Sequence, residues 1–436
     1  MNKQEWFDKA KAAGFAAFEI GTSRESGRSL TWYQGDMDTF VTKQSASTTL
    51  RALTEGGRQV VITTEHPEEL DADAVLKKMA ETAAVITSED ESFIREPAEA
   101  LPAASKYHFV QPEPEAIRQA LAAVEAKLSA YDPRIAQVTD LEWEEESAGK
   151  EVDNSRGMAV AESGCAQLLI AGVAAAENGE VKSEFRVEVV EDLASFDADT
   201  FVKKLCDEAI GKLGGAPIPS GAYPVILEKE AMTGLFSALS GMFSGDLIGK
   251  GISPLRDKLG QAVFSEKITV TDDPRLPELL MPVAYDDEGC PTARKELVKD
   301  GVFVKMLHDT KSGARMKAES TGNGFRGGVR PMGLGIEPGQ KTLEQMMADM
   351  GDGLVITDLA GLHAGIDHVT TDFSLQCSGY LVKGGKRDRA VTLITVAGNF
   401  LDMMKHVVCV GSDAEWKYRT IAAPSIAFES LSIAGE

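Results

Sequence analysis

One break constrains this chain more than any other feature. Residues 214–224 read GGAPIPSGAYP, three glycines and three prolines in a short run. Proline lacks a backbone donor and fixes φ, and glycine is the costliest residue to order. Neither a helix nor a central strand is expected to span the whole of such a run. The chain is therefore expected to change architecture there, with one domain over 1–213 and a second over 214–436.

The texture on either side differs. Before the break, helical spacing of apolar residues predicts helices over 3–13, 68–87, 113–131 and 196–213. In 113–131 the inner stripe is Ile117, Leu121, Val124 and Leu128. Alternating segments predict strands over 15–23, 29–33, 38–43 and 46–53, a strand QVVITT after the Gly56-Gly57 turn, and further strands over 135–145, 150–154, 166–177 and 182–190. The acidic, proline-bearing stretch 88–112 reads as a surface connection. After the break glycines are frequent and strands short, over 267–271, 302–308, 354–357, 373–382, 390–397 and 425–433. Helices are predicted only near 229–243, 341–350 and 400–409. The fold class is α+β, a mixed α/β N-terminal half followed by a strand-dominated C-terminal half, curled sheet or barrel-like.

Charge excludes one class of function. The chain has 68 acidic and 45 basic residues, a formal net charge of −23. A phosphate backbone requires a basic face, so general nucleic-acid binding is not expected. The five cysteines form no C-x-x-C pair, which suits reduced thiols. The N-terminal MNKQEWFDKAKAAGF lacks an apolar signal core. No apolar run reaches the roughly 18–20 residues of a membrane span. A cytoplasmic protein without membrane contact is expected.

Four segments carry groups capable of chemistry. AYPVILEKEAMTGLFSALSGMF, 222–243, reads as a strand running into a helix. A hydrolase could use such a step to present a metal-binding pair. The helix has no histidine, and Glu228 and Glu230 point in different directions while favouring its N-terminus electrostatically. GLHAGIDHVTTDFS places His363 and His368 with Asp367 and Asp372 on a loop. No third ligand stands at a recognisable spacing, so hydrogen-bonded loop side chains are the plainer reading. Asp272-Asp273 and Asp286-Asp287-Glu288 fit turn chemistry better than a calcium loop. STGNGFRGG, 320–328, matches neither a P-loop nor a dinucleotide fingerprint. It reads as flexible backbone able to approach another chain.

Blocks in order along the whole chain carry a resemblance. GAYPVILEKEAMTGLF, GISPLRDKLGQAV, TVTDDP, AYDDEGCPTARKELVKDGV, STGNG, IEPGQKTLEQMM, GDGLVITDLAGLHAGIDHVTTDFS, AGNF and APSIAFESLSIAG together resemble the TldD/PmbA family. The resemblance implies heterodimeric cytoplasmic metalloproteases that degrade or mature unfolded peptides, also labelled modulators of DNA gyrase. In that family a TldD-type subunit carries a zinc-binding His-Glu-x-x-x-His, and its TldE (PmbA) partner does not. Carried onto this chain, the motif positions fall on Lys229, Glu230 and Gly234. An ammonium has no free electron pair and glycine has no side chain. The family's cysteine ligand near the C-terminus has no counterpart in WKYRTIAAPSIAF.

The resemblance thus implies a TldE-type subunit with no cofactor of its own, paired as a heterodimer with a TldD-type partner that holds zinc. Its possible peptide groove would involve Glu230, His363, Asp372 and Asn399. Two alternatives remain open: a stand-alone hydrolase using the His363 loop, or a homodimeric peptide-binding scaffold.

Overall fold

A computed structural model describes residues 1–87, 92–100 and 102–436. The connection expected over 88–112 thus begins outside the described residues. The N-terminal half is built on one antiparallel sheet of six strands. These are β1 (Phe15–Tyr33), β2 (Asp36–Thr54), β3 (Gln59–Thr64), β4 (Ile135–Asn154), β5 (Ala159–Glu177) and β6 (Glu180–Val189). Their spatial order is β3-β2-β1-β4-β5-β6, which leaves β3 and β6 at the edges.

Helices Lys3–Ala12 and Ala72–Val85 pack one hydrophobic cluster against Phe18, Ile20 and Leu50. Helices Pro114–Ala130 and Ala198–Ile210 pack a second against Trp32, Trp143 and Leu169. All four residues of the stripe read from sequence in the third helix are buried.

The strands are longer than their sequence pattern suggests. The four short segments expected between 15 and 53 are two 19-residue strands. Those at 135–145 and 150–154 are one. Gly27 shows why. A Cβ there would stand 2.5 Å from the Glu145 carbonyl oxygen of the neighbouring strand. Glycine at that position permits close approach inside a continuous strand instead of ending it.

In the C-terminal half five strands close on themselves. Lys386–Asn399, Asp372–Lys383, Gly353–Ala360, Gly221–Leu227 and Ile426–Ala434 follow one another in that order. The last pairs back with the first through Thr395–Ala434, Val396–Ile433 and Ala397–Ser432. Closure removes the open edges of a sheet. Within 221–227, Val225 and Leu227 share one cluster with helix Lys229–Leu239. Ile226 points the other way, into a cluster with Met346 and Met347 of helix Leu343–Met350. The strand's period of two therefore feeds two separate layers.

Two expectations in this half change. The helix predicted over 400–409 ends at Met403, and Cys409 lies in strand Val407–Val410. The strand predicted over 302–308 is Val302–Phe303 only, followed by an unpredicted helix Thr310–Met316 capped by Asp309. That cap is local: the Asp309 carboxylate accepts from the Ser312 amide at 2.7 Å, as N-cap side chains do. Among the described residues, no helix is long and apolar enough to cross a membrane.

Candidate functional site

Helix Lys229–Leu239 begins directly after strand Gly221–Leu227, so the first turn sits at the strand's carboxyl end. Its apolar face (Met232, Leu235, Phe236 and Leu239) is buried in the barrel cluster. The opposite side, with Lys229, Glu230 and Gly234, lines a cleft of about 710 Å³. The edge strand β6 lines the same cleft with residues 184–187. Four consecutive strand residues line the cleft. A strand face would contribute alternate ones, so the strand presents its edge.

The charges at the cleft floor are mutually paired. Lys229 is ion-paired to Glu415. Lys417 lies 3.3 Å from the same carboxylate and 3.9 Å from Glu230. Arg419 meets Glu230 at 2.5 Å. Burial opposes the Lys229 charge, but Glu415 outweighs it, and the ammonium's pKa is raised. Burial likewise opposes the Glu415 charge, yet Lys229 and Lys417 hold its carboxyl below the usual range. Glu228 caps the helix by accepting from the Glu230 amide at 3.1 Å. Burial pushes its pKa up to about 7.

The C-terminal segment is tied onto this helix. Ser425 Oγ accepts from the Lys229 amide at 3.1 Å and donates to Asp413 at 2.7 Å. Thr233 Oγ1 accepts from the Ala423 amide at 2.9 Å. Lys212 bridges Glu184 of β6 (2.6 Å) and Asp358 of the barrel (2.7 Å), joining the two walls at the cleft.

The donor set does not suit a zinc ion. The resemblance aligns its three helical motif positions with Lys229, Glu230 and Gly234. The first is an ammonium already neutralised by Glu415, the second a carboxylate engaged by Arg419, and the third has no side chain. A Cβ at Gly234 would stand 3.2 Å from Leu362 Cδ1, so that loop occupies the space beside it.

Of the four groove residues named from sequence, only Glu230 lines the cleft. His363 follows Leu362, which does line it, but is itself exposed on the loop. Asp372 and Asn399 are cross-strand partners whose side chains bond each other at 2.9 Å. Asn399 also caps helix Phe400–Met403. Asp367 accepts from the Val369 and Thr370 amides, which is turn chemistry. Two other groups of three potential donors gather among the described residues: His66, Glu68 and Glu69, and Asp286, Glu288 and Cys290. In the second, Asp286 accepts from the Glu288, Cys290 and Gly324 amides. Arg95 donates to the Cys290 sulfur at 2.7 Å. A cation is thus already supplied there by the protein.

Sequence reasoning missed Glu415, Lys417 and Arg419. They lie in and beside WKYRT, where no local spacing ties the charged residues to a helix that begins 186 positions before Glu415. It also missed a buried ion pair. Asp272 is fully buried and meets Lys295 at 3.0 Å, and Asn323 donates to it at 2.8 Å. Asn323 belongs to the STGNG loop, which this network fastens in place.

The chain has counterparts among known proteins. Residues 220–435 match the family model described as the PmbA/TldA metallopeptidase C-terminal domain. This defines a class: a β-barrel metallopeptidase-type domain with the strand-to-helix step at its cleft. The chain is 30% identical over 335 residues to the metalloprotease PmbA of Escherichia coli O157:H7, covering 76% of this chain and 72% of that one. The chain belongs to the PmbA/TldD family. Its structure is similar to that of a Thermotoga maritima protein described as a modulator of a DNA gyrase, with TM-score 0.91, 28% identity and 99% of each chain covered. It shares its fold with TldE from Thermococcus kodakarensis, with TM-score 0.88, 23% identity, and 99% of this chain and 100% of that one covered.

Proposed function

We propose that this chain is the zinc-free subunit of a TldD/TldE-type protease complex acting on unfolded peptides. The observation that carries this reading is the Lys229–Glu415 ion pair at the motif position where the resemblance expects a ligand. A cation that belongs to the protein stands there with its own carboxylate. The likeness to the metalloprotease PmbA and to TldE supports it. In this reading a zinc-bearing TldD-type partner supplies the hydrolytic chemistry. This chain completes and shields the partner's site. The outer edge of β6 offers unpaired backbone groups to an extended peptide, a mode of recognition tolerant of sequence.

The test uses the full chain, alone and co-expressed with a TldD-type partner. The pair should co-purify and cleave an unstructured peptide in a chelator-sensitive manner. The lone chain should not cleave it. Chelator-sensitive cleavage by the lone chain would overturn the reading.

A further inference from the structure

The cleft departs from the charge of the rest of the molecule. Seven Lys and Arg and six Asp and Glu line it, whereas the whole chain has 45 against 68. At its floor three cations, Lys229, Lys417 and Arg419, share two carboxylates, Glu230 and Glu415. Lys229 and Arg419 hold the short contacts. Lys417 keeps the two longest distances in the network, 3.3 and 3.9 Å. An ammonium has three donors, and close charged hydrogen bonds run about 2.7–2.9 Å.

The backbone of Lys417 is also unusual. Its φ is 46°, in the left-handed region that disfavours a side chain. Its side chain is mostly buried within the cleft wall. A cation held there by a strained backbone, in a cavity with excess positive charge, has the properties of a receptor for an anion. The edge of β6, where an extended main chain would lie beside the exposed ring of Phe185, lines the same cleft.

We propose that Lys417 receives a carboxylate of a peptide lying along the β6 edge, either the C-terminal carboxylate or an acidic side chain near that end. This rests on the reading that the chain handles unfolded peptides, and it names the chemical feature selected. With one more charge-assisted hydrogen bond, a peptide with the carboxylate binds at least about tenfold tighter than its neutral counterpart.

The experiment measures fluorescence anisotropy of the full chain with three labelled versions of one unstructured peptide. One has a free C-terminus, one a C-terminal amide, and one an amide with glutamate as the penultimate residue. The free acid, the glutamate-bearing amide, or both should bind about tenfold tighter than the plain amide, and which of them does so identifies the source of the carboxylate. Lys417→Gly should abolish the difference. Glycine accepts the left-handed backbone, which offsets the lost Lys417–Glu415 contact, so this variant keeps its fold, as its unfolding midpoint checks. Lys417→Arg should retain the difference. Equal affinities, a difference that survives in Lys417→Gly, or no binding of any version would each overturn the proposal. Failure of the subunit reading shows separately, as absence of co-purification or as cleavage by the lone chain.

Discussion

Lys229 and Glu415 lie 186 positions apart in sequence and form an ion pair at the first turn of the helix that follows strand Gly221–Leu227. The pair brings the C-terminal segment to the strand-to-helix step. It also neutralises Lys229, at the position where the resemblance expects a metal ligand. Restoring a single imidazole should therefore not restore a metal site. Lys229→His is expected to leave the chain without stoichiometric zinc after dialysis, read by elemental analysis. Gly234 still offers no donor, and Glu415 then faces Lys417 alone.

Gly234 is a helical glycine. Its replacement by alanine gains about 0.8–1 kcal/mol of helix propensity. The new Cβ would stand 3.2 Å from the tip of Leu362, on a half-exposed loop that can yield by a few tenths of an ångström. Gly234→Ala should raise stability by up to about 1 kcal/mol in urea unfolding. A loss of similar size would show that the Leu362 loop is rigid.

Glu228 sets a pH dependence. Its carboxyl is raised from 4.5 to about 7 by burial, so the folded state holds the proton more tightly than the unfolded state. Its contribution is most favourable below about pH 4.5, declines as pH rises toward 7, and stays low above. Glu228→Gln keeps an oxygen to cap the helix and removes the charge. The variant should be more stable than the parent at pH 8, on the order of 2 kcal/mol, with little difference at pH 4.5. Unfolding curves at both pH values check this.

Asp272 and Lys295 form a buried pair that also holds Asn323. Lys295→Met leaves the aspartate charge without its cation and should cost roughly 3–5 kcal/mol. Asp272→Asn with Lys295→Met should cost clearly less than the single change, because no uncompensated charge remains. A double-mutant cycle by chemical denaturation measures the coupling.

Part of this was legible in the sequence. The helix expected over 113–131 is Pro114–Ala130, because a 3.6-residue apolar stripe needs only local spacing to declare itself. That Lys229 carries an ammonium and Gly234 no side chain is also plain from the sequence, since donor chemistry belongs to the side chain and survives any fold. The strands were harder to read: Gly27 looks like a stop until Glu145 of the neighbouring strand lies against it.

The sequence by itself determined which groups this protein can bring to a site: an ammonium, a carboxylate and a bare glycine at the motif, with an acidic chain around them. Only the tertiary structure decided their partners. Glu415 reaches Lys229, β6 turns its edge to the same cleft, and Lys295 meets Asp272 beneath the STGNG loop. Contacts of this kind join segments far apart along the chain. They arise from sheet pairing and barrel closure, which no local pattern of residues specifies.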